Sequence, residues 1–143
     1  NTNNKKVVTE TSVYSCKENT ELVKNKKQID ENIDKNNFNV VDARSRERFE
    51  GKVAEPRKGL RSGTRKYSFC LPFGELITDA HTFISKDKIS EKFRSYNFDQ
   101  DKNLVFSCGS GVTASVLALA YSLINDKYKP TIYDGSWSEY GRN

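Results

Sequence analysis

The chain has 143 residues, of which 35% are hydrophobic and 30% are charged, and its formal net charge is +5. This length suits one domain with its own core and excludes two complete domains. The apolar runs are too short to cross a bilayer. The chain has three widely spaced cysteines and a single histidine, which fits neither a disulfide framework nor a zinc site. We therefore expect a protein of a reducing compartment that has no membrane segment and binds no metal.

The positive charge comes from 24 lysines and arginines against 19 acidic residues. Lysines are scattered among asparagines near the N-terminus, and further cations lie between 44 and 66. No basic helix with interleaved aromatic residues appears, so the pattern favours a solvated surface over a nucleic-acid patch. We expect no direct binding to nucleic acid.

Strand-like and helix-like patterns alternate along the chain. Residues 1–11 are polar and predict a linker or flexible N-terminus, which leaves 12–143 as the folded domain. The stretch 112–124 is apolar on most sides, which predicts a helix buried against a sheet. The predicted elements are a strand at 12–14, a helix at 18–35, a strand at 38–42, a helix at 45–49, a loop through 63, a strand at 69–72, a helix at 88–96, a strand at 104–107, a helix at 112–124 and a strand at 131–133.

This order of elements predicts an α/β fold with a mainly parallel central sheet and helices on both faces. In such a sheet, ligands bind beyond the carboxyl ends of the strands. Cys108 directly follows the predicted strand at 104–107, so it lies where a site is expected.

The segment 107–114, SCGSGVTA, is the motif that carries most chemical information. Its glycines allow a tight loop between a strand and a helix, so the Cys108 sulfur would face loop N–H groups and the positive end of a helix dipole. Both lower the pKa of the thiol from its ordinary value of about 8.5 and so favour the thiolate. The hydroxyls of Ser110 and Thr113 are added donors. We therefore predict that Cys108 is a nucleophile.

The surrounding residues limit which reactions the Cys108 nucleophile could catalyse. His81 lies in a polar stretch with no evident link to Cys108, which argues against a Cys/His hydrolase. A thiolate held by backbone N–H groups can still attack phosphorus or sulfur. A cysteine phosphatase would need a phosphate-holding arginine where this chain has Ala114. The residues favour attack on sulfur and rank a phosphatase below it.

Five short motifs then follow one another in a recognisable order. They are VDAR at 41–44, RFEG at 48–51, EPRKGLRSG at 55–63, CGSGVTA at 108–114 and YDGSWSE at 133–139. Together they resemble the C-terminal catalytic domain of the mercaptopyruvate sulfurtransferases, which belong to the rhodanese family, over about 14–140 of the chain. The resemblance implies a rhodanese-like fold and a place as the C-terminal half of a two-domain protein.

The same resemblance implies roles for individual residues. Cys108 would carry a persulfide and Ser110 would assist proton movement, with no organic cofactor. The implied substrate-binding residues are Arg48, Arg57, Gly109, Gly111, Val112 and Thr113. Thiosulfate is a compact dianion that would favour positive charge inside the loop, whereas mercaptopyruvate carries its carboxylate some atoms from the reacting sulfur. The neutral Gly109-Ser110 pair is similar to the mercaptopyruvate branch, and a thiosulfate sulfurtransferase is the less favoured reading.

A second function of another class stays open. The domain could act as a persulfide relay or interaction module that delivers sulfur for tRNA thiolation, with little turnover of free substrate. The cations Lys58, Arg61, Arg65 and Lys66 would then form its docking surface. The implied partners are a sulfur donor such as 3-mercaptopyruvate, thiol acceptors such as thioredoxin, the N-terminal rhodanese domain, and a cysteine desulfurase or sulfur-carrier protein. The implied location is cytoplasmic, mitochondrial or both.

Other conspicuous residues have structural interpretations. We expect Asp42 to hold Arg44 or nearby backbone, and Tyr133 and Trp137 to belong to the core or its rim. Cys16 and Cys70 are expected to be inert. The alternative role for Arg48 is a salt bridge with one of its flanking glutamates, at 47 and 50.

One segment departs from the family pattern. Where the family has His-Ile-Pro-Gly leading to an Asn, residues 64–70 read TRKYSFC. The change leaves the turn geometry open. It adds Arg65 and Lys66, which are expected near the mouth of the site.

Overall fold

In the computed structural model of the protein, residues 11–99 and 101–142 are described, so nearly all of the predicted N-terminal linker lies outside them. Within these residues, the chain forms a five-stranded sheet in the order β1-β5-β4-β2-β3, and every pairing is parallel. The strands are β1 Val23–Lys24, β2 Asn39–Asp42, β3 Ser68–Cys70, β4 Leu104–Ser107 and β5 Thr131–Tyr133. The helices are α1 Lys26–Lys35, α2 Arg46–Phe49, α3 Lys86–Arg94, α4 Val112–Ser122 and α5 Ser136–Tyr140, with short 3-10 turns at Thr20–Leu22 and Phe73–Leu76.

The core lies on both faces of the sheet, because side chains alternate along each strand. Val41 and Phe106 point into the larger cluster, which includes buried residues of α3 and α4. Val40 and Val105 point the other way, where Ile29 of α1 covers them. The predicted α/β architecture with helices on both faces is confirmed, and the sheet is parallel throughout.

The predictions near the N-terminus were partly wrong. Residues 11–19 have no regular structure, so the strand predicted at 12–14 is absent. The helix predicted at 18–35 begins at Lys26, because the Asn25 side chain caps it by accepting from the Gln28 N–H. Val23 pairs with Ile132 of β5 instead of joining the helix.

Helix α4 is less buried than its composition predicts. Ala114, Leu117, Ala118 and Ala120 are buried, but Val112 is 73% exposed and Leu119 is 53% exposed. The face bearing Val112 therefore lies at the surface beside the Cys108 loop. No helix in residues 11–99 or 101–142 combines the length and the apolar composition that a membrane span requires.

The altered segment 64–70 keeps a tight turn, although it contains no glycine. Tyr67 takes a φ of +56°, in the left-handed region that non-glycine residues rarely occupy. Lys66 and Tyr67 are exposed, while Arg65 is buried. The expectation that both cations lie at the mouth was therefore wrong, since Arg65 is buried and Lys66 precedes β3, at the end of the sheet opposite the Cys108 loop.

Candidate functional site

The candidate site lies beyond the carboxyl ends of β2 and β4, which are neighbours in the sheet. Asp42 pairs with Ser107 at the last register position, so the loops that follow the two strands meet there. They enclose a cavity of about 250 Å³. Its lining residues are Arg48, Glu55, Pro56, Arg57, Leu60, Cys108, Gly109, Ser110, Val112 and Thr113. Of the residues that the sequence assigned to the site, Gly111 alone is outside this lining.

The Cys108 thiol is buried, with 2% of the residue exposed. Burial opposes ionisation, but hydrogen bonds from the Thr113 hydroxyl and from the N–H groups of Ser110, Ala114 and Thr113 outweigh it and lower the pKa of Cys108. The Ser110 N–H lies 3.4 Å from the sulfur. Sequence reasoning anticipated these loop donors but did not single out the amide of Ala114.

The first turn of α5 holds the Cys108 loop in place. The Trp137 N–H donates to the Cys108 carbonyl at 2.9 Å, and the Ser138 N–H donates to the Gly109 carbonyl at 2.8 Å. The Ser136 hydroxyl accepts from the Cys108 N–H at 3.0 Å. Both carbonyls are thus bound to N–H groups of α5. This support was not found in the sequence, because α5 is too short for a periodic pattern.

Gly111 allows the Cys108 loop to turn tightly and to lie against Asp134. It has a φ of +86° and is the N-cap residue of α4. A Cβ at this position would lie 2.9 Å from the Asp134 carboxylate Oδ1 and 3.1 Å from the Asp134 carbonyl oxygen. Only a glycine fits both the backbone conformation and this close approach.

Arg48 lines the same cavity as the Cys108 thiol and is fixed by Glu55. Its Nε donates to Oε1 of Glu55 at 3.3 Å, and its NH2 donates to Oε2 at 2.5 Å. The same NH2 is 3.1 Å from the position that a Cβ of Gly109 would occupy. An ion pair was the alternative role for Arg48, but the partner is Glu55 and not one of the flanking glutamates.

Arg57 is exposed at the cavity and donates to the Ser138 hydroxyl. That hydroxyl also donates to the Gly109 carbonyl at 2.6 Å. Arg57 and Arg48 therefore present two cations to the cavity beside Gly109 of the Cys108 loop.

Beneath the site lies a buried network of charges. Asp42 accepts from the Arg44 N–H at 3.0 Å and from its guanidinium at 2.9 Å, which confirms the structural role expected for Asp42. Arg44 also donates to Glu55 at 2.8 Å. Arg65 lies 3.3 Å from Asp42, and burial lowers the pKa of Arg65.

Rings surround the Arg65 guanidinium. They belong to Tyr133, Trp137 and Tyr140, with centroids 5.3 to 5.7 Å away. Tyr133 and Trp137 are fully buried, as expected of core residues.

The remaining cysteines and the histidine lie apart from the site. Burial and the nearby charge of Asp42 raise the pKa of Cys70 to about 12, which suits an inert thiol. Cys16 and His81 are exposed outside the cavity lining. In the part of the chain that the structure describes, no three His, Cys, Asp or Glu side chains form a group that could hold a metal.

A larger cavity, of about 510 Å³, lies at the opposite edge of the sheet. Asn39 and Ser68, which begin β2 and β3, line it together with aromatic and amide side chains. It contains neither a thiol nor an arginine among its lining residues. The reactive groups are therefore gathered at the smaller cavity.

The loop after β4 of this parallel sheet thus holds a thiol that accepts hydrogen bonds from N–H groups, in a cavity that two arginines also line. The chain belongs to the rhodanese-like family, because the family described as "Rhodanese-like domain" matches residues 25–143. It is 37% identical over 113 residues to "Thiosulfate/3-mercaptopyruvate sulfurtransferase 1, mitochondrial" of Arabidopsis thaliana, covering 79% of this chain and 30% of that protein.

Two solved structures agree with this assignment. The Escherichia coli protein SseA, described with the 3-mercaptopyruvate sulfurtransferases, has a TM-score of 0.71 and 31% identity over 89% of this chain and 46% of its own. The sub-stoichiometric sulfur transferase subunit of yeast mitochondrial complex I has a TM-score of 0.72 and 33% identity over 84% of this chain and 42% of its own. The chain spans less than half the length of each of these three proteins.

Proposed function

We propose that this domain is a sulfurtransferase that moves sulfur from 3-mercaptopyruvate to a thiol acceptor through a persulfide on Cys108. The observation that carries the proposal is one cavity of about 250 Å³ that joins the Cys108 thiol to Arg48 and Arg57. The lowered pKa of Cys108 favours the thiolate, which is the nucleophilic form of the side chain. The relatives' names support the same chemistry.

In the first half-reaction, the Cys108 thiolate attacks the substrate sulfur and forms an S–S bond. The C–S bond breaks, and its electron pair stays on the carbon as the enolate of pyruvate. The proton of the substrate thiol ends on that carbon, and the Ser110 hydroxyl assists its movement. The loop N–H groups that lower the pKa of Cys108 also stabilise the persulfide anion.

The arginines orient the substrate during this step. A guanidinium presents planar N–H donors that suit the carboxylate and keto oxygens of a 2-oxo acid. Gly109, Val112 and Thr113 complete the wall around the reacting sulfur. Gly111 contributes by holding the loop. In the second half-reaction, an acceptor thiolate attacks the outer sulfur and releases the Cys108 thiolate.

A persulfide relay is the second candidate, and exposed cations near the cavity favour it. Lys58 and Arg61 are exposed and lie close to Arg57 in the chain, whereas Lys66 precedes β3 at the opposite end of the sheet and takes no part. Arg65 is buried and takes no part in a docking surface. The name of the yeast relative, a sulfur transferase subunit of a larger complex, supports transfer between proteins.

We propose the following partners and setting. A cysteine desulfurase or sulfur-carrier protein would supply or receive sulfur, thioredoxin would be an acceptor, and tRNA thiolation would be one destination. Residues 12–143 would form the C-terminal half of a longer enzyme, because the relatives are more than twice as long. The name of the Arabidopsis relative supports a mitochondrial location.

Mass spectrometry tests the first half-reaction. Reduced protein treated with mercaptopyruvate should gain one sulfur atom on the peptide that contains Cys108, while Cys108→Ser gains none. An unmodified Cys108 in folded protein would show that the proposal is wrong. Turnover of mercaptopyruvate should exceed that of thiosulfate.

The arginine assignment has a matched control. Arg57→Ala should raise the KM for mercaptopyruvate. Arg61→Ala should change it little, because Arg61 stacks on Trp137 and does not line the cavity. For the relay, Lys58→Glu should slow transfer from a cysteine desulfurase while leaving mercaptopyruvate turnover intact.

A further inference from the structure

The carboxylate of Glu55 lies buried directly behind Arg48. It comes from the long segment between α2 and β3, and its side chain is 1% exposed. Arg48 binds one edge of it through Nε and NH2, and Arg44 binds Oε1 from below. Glu55 is therefore the shared partner of a fully buried arginine and of the half-buried arginine that lines the cavity.

This side-on contact fixes the orientation of the Arg48 guanidinium beside Gly109. A guanidinium has five N–H donors in a fixed fork. The Nε and one N–H of NH2 are directed at Glu55, which leaves the NH1 end free of it. Without that contact, the side chain would have to lose rotamer entropy when it bound substrate. Glu55 removes this entropy before binding.

Glu55 is itself anchored, so it does not move with Arg48. Arg44 donates to Glu55 at 2.8 Å and to Asp42 at 2.9 Å, and Asp42 is the last residue of β2. Burial raises the pKa of Glu55, but hydrogen bonds and charge from Arg48 and Arg44 outweigh it and lower the pKa overall. The carboxylate is thus ionised at neutral pH. Alternating charges run from the end of the strand to the cavity wall.

We propose that Glu55 is a positioning residue that holds the Arg48 guanidinium at the Cys108 loop and thereby sets the affinity of the site for a 2-oxo acid carboxylate. This inference rests on the proposed function. Glu55 is among the residues that line the cavity, but the hydrogen bonds of its carboxylate go to Arg44 and Arg48, so it acts through Arg48.

The test measures carboxylate binding separately from turnover. Pyruvate, the 2-oxo acid product, should protect Cys108 from alkylation by iodoacetamide. Glu55→Gln keeps the shape of the side chain but removes its charge, and it should need about tenfold more pyruvate for the same protection, the effect of losing one charge-assisted hydrogen bond. The KM for mercaptopyruvate should rise similarly, with a smaller change in kcat. Glu47→Gln is the matched control, because Glu47 is exposed beside Arg48 in sequence and is not its partner.

A double-mutant comparison separates positioning from general destabilisation. In an Arg48→Ala background, Glu55→Gln should cause no further loss of pyruvate protection. An equal additional loss there would overturn the positioning role, as would unchanged protection in Glu55→Gln alone. Failure of mercaptopyruvate to form the persulfide would instead count against the proposed function. Wild-type protein that pyruvate does not protect would overturn the 2-oxo acid site itself, and the inference with it.

Discussion

Replacing Gly111 with alanine should damage both the stability of the domain and the reactivity of its thiol. A non-glycine residue in the left-handed region costs about 1–2 kcal/mol, and the lower entropy of the unfolded chain returns about 0.4–1 kcal/mol. At Gly111 the new Cβ would also lie 3.1 Å from the Asp134 carbonyl oxygen, which is backbone and cannot swing aside. Crowding of this kind adds about 1–3 kcal/mol. We expect a total loss of about 2–4 kcal/mol in the free energy of unfolding.

Gly59 provides the matched control for this substitution. It has a similar φ of +79°, but a Cβ there would meet nothing within 4 Å. Gly59→Ala should therefore show only the backbone cost, about 1 kcal/mol. Urea unfolding measures both losses, and the rate of iodoacetamide alkylation at neutral pH reports the Cys108 loop. Equal stability losses, or normal alkylation in Gly111→Ala, would refute the reasoning.

Three further predictions follow from the electrostatics. Thr113→Val should raise the pKa of Cys108, because the variant lacks the hydroxyl that donates to the sulfur, and the pH profile of the alkylation rate should shift to higher pH. Thr113→Ser keeps the hydroxyl and should leave the profile unchanged. An unchanged profile in Thr113→Val would contradict the role of the hydroxyl. Arg65→Ile should cost less in urea unfolding than the loss of about 3–5 kcal/mol that is usual for removing one partner of a buried ion pair, because Arg44 still binds Asp42 and because Nε and NH1 of Arg65 find no hydrogen-bond partner among the described residues. A loss of the full size would contradict this reasoning. The folded pKa of Cys70, about 12, lies above the unfolded value of about 8.5. The stability that the protonated Cys70 thiol contributes is therefore complete below about pH 8.5 and is lost as the pH rises towards about 12. Cys70→Ala should lose less stability than wild type over this range, as measured by urea unfolding at each pH.

The sequence predicted the features that local patterns encode. The strand at Leu104–Ser107 and the loop after it were correct, because an apolar run followed by glycines is a local signal. Helix α5 was missed, since its five residues are too few for periodicity and it begins at Ser136 with a φ of +48°.

Long-range contacts explain the other differences. The pairing of Val23 with β5 joins segments far apart in sequence, so it left no local pattern. Arginine usually lies at the surface, so nothing in the sequence indicates that Arg65 is buried. Its burial depends on Asp42 and on aromatic rings from residues near the C-terminus. The pairing of Arg48 with Glu55 crosses an irregular loop with no periodic spacing. Such partners become visible only when the sheet order has brought the loops together.

The binding of the Cys108 and Gly109 carbonyls to α5 also affects which species the thiolate can accept. The groups that contact the sulfur, from Ser110, Thr113 and Ala114, are all hydrogen-bond donors. A metal ion needs several lone pairs around it, whereas the backbone N–H groups present none and the Thr113 hydroxyl is turned to donate to the sulfur. Thiophilic cations such as zinc or cadmium would therefore bind the thiolate without help from these neighbours, whereas a sulfur or carbon electrophile needs only the sulfur itself. The loop thus makes the cysteine nucleophilic without making it a good chelator.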